Sequence, residues 1–184
     1  MRIPLSVAGV LFLLYPVLRP WHDETTTSGA AAAMGSTAWV IAHLCAMLGF
    51  ILAALALLEI DRRAAIVFWI GAGLTLPYYG AEDFGLHAIA AQPNLLDLAD
   101  AVRYNPVSIT MFGLGLLTMA AAAILVAVRL RTVPAIVFAA GFALFLPQFF
   151  APPAARIVHG VLLAAGCVWL ASSSKRVEAA LSPA

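Results

Sequence analysis

The chain has 184 residues, of which 64% are hydrophobic and only 10% charged, and its mean hydropathy is +1.00. Soluble domains carry about 25% charged residues, so a single water-facing core does not hide this much apolar surface and lipid is the expected solvent. A net charge of +1 gives no basis for a nucleic-acid partner, and Cys45 and Cys167 lie inside apolar runs, as small buried hydrophobes rather than a disulfide framework.

A hydrocarbon core about 30 Å thick takes about 20 apolar residues in a helix. Six runs approach that length: residues 3–20, 36–58, 64–86, 107–128, 133–150 and 154–173. The chain therefore reads as one all-α integral membrane domain over 1–184, with six transmembrane helices. The first run, RIPLSVAGVLFLLYPVLRP, shows no small-x-small cleavage site before a polar domain and is expected to stay as a helix. RPWHDETTTSG leads to the second run and EIDRR to the third. QPNLLDLADAVRYNP then predicts a short helix over about 94–103, capped by Asn94. Leu95, Leu96, Ala99 and Val102 share one side of it, and Asp97, Asp100 and Arg103 another, as on a membrane surface. RLRTVP and APPAAR are the remaining turns, and SSSKRVEAALSPA is a polar tail.

Lys and Arg set the expected orientation. With the N-terminus in the cytoplasm, seven fall inside (Arg2, Arg62, Arg63, Arg129, Arg131, Lys175, Arg176) and three outside (Arg19, Arg103, Arg156). The expected location is the cell membrane, with both termini cytoplasmic. All four histidines, together with Glu82 and Asp83, then belong to the outer half.

AIVFWIGAGLTLPYYGA (65–81) and AIVFAAGFALFLPQFFA (135–151) align without a gap, with nine of seventeen positions identical. This predicts a repeat of spans 2–3 and 4–5 within three helical hairpins. Pro16, Pro77 and Pro147 all fall near outer helix ends. Proline frees a carbonyl one turn back and bends a helix, so three at one level predict an outer-leaflet cavity.

At about 1.5 Å of rise per residue, His43 and His159 lie roughly 10 Å below the outer surface. Thr75, Tyr79, Asp83 and His87 form one stripe of the third span, with Tyr78 and Glu82 beside it. Ionisable groups in lipid are costly and mark function by default. For each residue alone an interhelical hydrogen bond is the plainer expectation; the set predicts a pocket. Glu82, Asp83, His43 and His159 are its expected catalytic groups, and Tyr78, Tyr79, Phe84, Gln148, Phe149 and Arg156 its substrate-binding groups. The expected function is a membrane enzyme doing acid–base chemistry on a hydrophobic small molecule, an isoprenoid among them. No cofactor is required by that reading. Two alternatives add one: zinc or iron on His43, Asp83, His87 and His159, or haem between His43 and His159. A further alternative is a scaffold subunit of a membrane complex, and a homo-oligomer fits any of these. The almost purely apolar inner halves argue against a transport pathway. Trp39 followed by His43 and a Gly/Leu-rich run resembles helices of small bacterial membrane proteins, and implies no activity.

Overall fold

Four of the helices begin where the sequence supplies a side chain to accept from free backbone N–H groups. The computed structural model describes residues 2–173. Among them lie α1 (Arg2–Leu18), α2 (Thr27–Met34), α3 (Thr37–Leu57), α4 (Arg62–Gly80), α5 (Leu86–Ile89), α6 (Leu95–Arg103), α7 (Pro106–Leu130), α8 (Val133–Ala143) and α9 (Pro153–Ser172). A π-helical turn, Ala81–Gly85, joins α4 to α5, and a 3-10 turn, Pro147–Phe150, follows α8. The described residues contain no strand. The polar tail with Lys175 and Arg176 lies outside them.

Thr26 Oγ1 accepts from Gly29 N–H at 3.1 Å and Ser36 Oγ from Trp39 N–H at 3.1 Å, which starts α2 and α3. Asp61 Oδ1 caps α4 through Arg63 and Ala64, and Asn105 Oδ1 caps α7 ahead of Pro106. Burial would raise the Asp61 carboxyl, but those two N–H bonds and Arg129, 2.8 Å from Oδ2, hold it below the usual range. Helix α7 ends on Arg131 in the left-handed region (φ 51°), its N–H bonded to Ala127 O at 2.8 Å. Asn94 does stand before α6, but its side chain makes no capping bond.

Six helices form a closed ring. Each of α1, α3, α4, α7, α8 and α9 packs on the next, and α9 returns to α1. The expected hairpin partners α1/α3, α4/α7 and α8/α9 are adjacent. Phe12, Phe50, Phe68, Phe138, Phe142 and Phe145 fill the centre with edge-to-face and tilted contacts. Close helix approach relies on missing side chains: a β-carbon on Gly71 would sit 2.7 Å from Gly115 O. The outer surface of the ring is apolar, with Leu48, Ile70, Leu117, Leu125 and Val161 among its exposed residues.

Four helical stretches are long and apolar enough to cross a membrane: α3, the continuous Arg62–Ile89, α7 and α9. Helix α1, with 17 residues, and α8, with 11, are shorter. Of the six runs expected to span, four form helices of spanning length and two form shorter apolar helices.

Three expectations are corrected. Residues 27–34, read as part of an outer loop, form α2. Helix α6 does not spend its apolar side on lipid. Leu95 and Ala99 are buried against Ala30, Ala33, Met34, Trp39 and Leu86, making a second small core that caps one end of the ring. The 70-residue echo does not carry through as equivalent bends. Pro77 lies inside α4, which continues past it, whereas Pro147 opens a 3-10 turn after α8 has ended. Pro152 and Pro153 follow so closely that the chain after Pro147 has no room to resume a helix.

Candidate functional site

Pro77 and the π turn shape the site. Proline removes one N–H from α4, and Leu86 N–H reaches back five residues to Ala81 O. A π turn widens the helix and shifts the phase of all that follows. Trp39 Nε1–H holds this turn to α3 by donating to the Glu82 carbonyl at 2.9 Å. Tyr78, Tyr79 and Glu82 then face one cavity of about 590 Å³. Tyr15, Arg19, His43, Arg103, Phe112, Phe149 and Arg156 line it as well, so the wall is drawn from most of the ring.

His43 is buried, and its Nδ1–H donates to Trp39 O at 2.8 Å. A carbonyl only accepts, so this bond fixes the tautomer and leaves the Nε2 lone pair of the neutral ring free. The imidazole packs among Trp39, Tyr15 and Tyr79, with ring centroids 4.5, 5.5 and 5.9 Å away. The Tyr79 hydroxyl is buried too. Tyr15 is its phenolic neighbour, with rings 5.8 Å apart, but the two form no well-aligned hydrogen bond. Tyr78 stacks on Phe112 at 4.2 Å, and Phe149 meets Phe112 edge-on at 5.2 Å.

One side of the cavity is ionic. Arg103 binds both oxygens of Glu82, Nε to Oε1 at 2.7 Å and Nη2 to Oε2 at 3.2 Å, and reaches Glu24 Oε2 at 2.8 Å. Arg19 Nη2 completes the chain on Glu24 Oε1 at 2.6 Å. Burial alone would lower the Arg103 pKa; Glu82 and then Glu24 reverse this and raise it above the ordinary guanidinium value. The Arg19 guanidinium lies over both Trp21 and Trp39, 4.7 Å from each ring centroid. Arg156 stacks on Trp21 and Phe149 and donates from Nε to Gln148 Oε1 at 3.0 Å.

Of the span-three carboxylates and deep histidines, Glu82 and His43 line this one cavity. Asp83 is fully buried outside the cavity, with neither oxygen hydrogen-bonded among the described residues. Successive helical residues point about 100° apart, so with Glu82 directed inward Asp83 is directed away. His159 is likewise separate. Its Nε2–H donates to Gly141 O at 2.8 Å, tying α9 to α8, and it lines a small void of about 10 Å³ beside Gln148. Phe84 is 56% exposed on the apolar surface and does not belong to the aromatic wall. His87 Nδ1–H donates to Met34 O at 2.7 Å, fastening α5 to α2.

The proposed metal ligands are therefore not gathered. Among the described residues no three of His, Cys, Asp and Glu lie close enough to hold an ion. His43 and His159, the expected haem ligands, line different cavities. Sequence reasoning missed Tyr15, Arg19, Trp21, Glu24, Arg103 and Phe112. Arg19 lies one turn beyond Tyr15, which hinted at a shared face. The Glu24–Arg103 pairing, across 79 residues, left no local signal.

Compared with protein-family models, with curated proteins and with solved structures, the chain matches none.

Proposed function

We propose that the protein is an integral membrane enzyme that performs general acid–base chemistry on a lipid-soluble substrate held in this cavity. The observation that carries the reading is the free Nε2 of His43 inside an aromatic-walled cavity, its tautomer set by the Trp39 carbonyl. Nε2 takes a proton from the substrate. The buried Tyr79 hydroxyl supplies the opposing hydrogen bond. Both oxygens of Glu82 are occupied by Arg103, so it positions the ionic side rather than moving a proton. Tyr78, Phe112 and Phe149 suit an unsaturated or isoprenoid chain.

The test is a comparison of lipid conversion. Purified protein and its His43→Gln variant are placed in vesicles of total lipid extract, and the products are followed by mass spectrometry. The parent converts a lipid species, and the variant does so about 100- to 10,000-fold more slowly while staying folded. Identical product profiles from two folded proteins would sink the reading.

In this reading all six apolar helices cross the cell membrane, with the termini cytoplasmic and the cavity in the outer half. The seven-to-three distribution of Lys and Arg supports it. In a background lacking Cys45 and Cys167, a cysteine at Thr26 or Asn94 is labelled by an impermeant reagent from outside, and one at Ser173 is not. The opposite pattern reverses the orientation.

A further inference from the structure

Three guanidinium groups line the cavity, those of Arg19, Arg103 and Arg156, against two carboxylates, Glu24 and Glu82. Both carboxylates are taken. Glu24 is shared by Arg19 and Arg103, and Glu82 is held by Arg103. Arg156 is the cation left over. Its guanidinium stacks on Trp21 and Phe149, but only Nε is hydrogen-bonded, to the neutral Gln148, and among the described residues its terminal nitrogens have no hydrogen-bond partner. Its position makes this costly. It lies in the first turn of α9, where the helix dipole is positive and a cation is disfavoured. It also shares the Trp21 ring with Arg19, so a second positive charge is close by. An anion brought into the cavity relieves both, and the planar fork of Arg156 is the group to receive an oxyanion.

The cavity also has an apolar lining that reaches the surface of the ring, with Ile109 and Gly113 from α7 and Leu146 and Phe150 from the segment after α8. Ile109 is 39% exposed and Phe150 88%, although both line the cavity. A β-carbon on Gly113 would meet nothing within 4 Å, so this flank of α7 is open.

We infer that the cavity takes an oxyanion-headed, single-chain amphiphile. Its phosphate or carboxylate head sits on Arg156, and its chain passes Gly113 and Phe150 into lipid. This rests on the cavity being the substrate site and names the class of substrate.

The full chain in a neutral detergent or phosphatidylcholine nanodiscs is titrated with dodecyl phosphate, dodecanol and inorganic phosphate, with calorimetry as the readout. Dodecyl phosphate binds saturably and at least about tenfold more tightly than either of the others. Arg156→Gln lowers its affinity by about tenfold or more and leaves dodecanol unchanged. Gly113→Trp, which fills open space, weakens both amphiphiles and carries the test if the arginine variant does not fold. Equal binding of dodecyl phosphate and dodecanol overturns the inference. So does indifference to Arg156→Gln or, when the arginine variant does not fold, to Gly113→Trp. Inorganic phosphate binding as tightly as dodecyl phosphate makes this a free-anion site and overturns the amphiphile assignment. His43→Gln separates the two proposals. If dodecyl phosphate binds through Arg156 but no His43-dependent conversion exists, the enzyme reading falls and this one stands. If conversion persists while Arg156→Gln leaves binding untouched, the reverse holds.

Discussion

Glu82→Gln is expected to lower the stability of the folded protein by about 3 kcal/mol, the lower end for breaking a buried ion pair. The side chains of Glu82, Arg103, Glu24 and Arg19 are only 11%, 19%, 17% and 9% exposed, so the four charges are largely removed from water. Glutamine keeps the shape and one acceptor, but it leaves Arg103 with Glu24 as its sole anion, and Glu24 already serves Arg19. The uncompensated positive charge is the cost. Arg103 comes from α6, Glu82 from the π turn and Glu24 from the segment before α2, so the damage spreads to the small core that caps the ring. Thermal unfolding in detergent measures it. The double variant Glu82→Gln, Arg103→Gln is expected to lose less than the sum of the single variants, because removing both charges also removes the orphan. Strict additivity, with each single loss below about 0.5 kcal/mol, would show that the network is a solvent-screened surface pair.

Gly115→Ala is expected to cost about 2–3 kcal/mol, from one methyl group. A β-carbon there would overlap Thr75 Oγ1, lie 2.7 Å from Gly71 O and sit 3.0 Å from Thr75 N. Two of these atoms are backbone and cannot swing away. The third donates to Gly71 O at 2.9 Å and would have to give up that bond. Helices α4 and α7 must separate, and the wall carrying Tyr78, Tyr79 and Phe112 separates with them. Gly73, between Gly71 and Thr75 on the other side of α4, provides the contrast. A β-carbon there meets nothing within 4 Å, so Gly73→Ala is expected to be neutral or to stabilise by about 0.5–1 kcal/mol through helix propensity. Equal melting temperatures for the two variants would mean that α4 and α7 do not touch as described.

Hydropathy placed the helices, because burying a backbone in lipid requires a continuous apolar run with its hydrogen bonds made internally, and that requirement is local. Caps were less legible: Asn94, the one expected, makes no capping bond, whereas Asp61 and Asn105, each acting within three residues of itself, cap α4 and α7. Depth was read from the constant rise per residue, with His43, His159 and Tyr79 at one level and Glu82 just above; His43, Tyr79 and Glu82 line one cavity, and His159 does not. Rotation about the helix axis was not legible. Glu82 lines the cavity and Asp83 does not, although the two are adjacent and alike in chemistry. Whether α6 lay on lipid or on protein turned on α2, whose eight residues, with four alanines in a row, carry little amphipathic signal. The ionic chain from Arg19 through Glu24 and Arg103 to Glu82 joins four separate segments. Charge pairing across that distance has no period to read, so only the closing of the ring decided which arginines were neutralised and left Arg156 without a carboxylate.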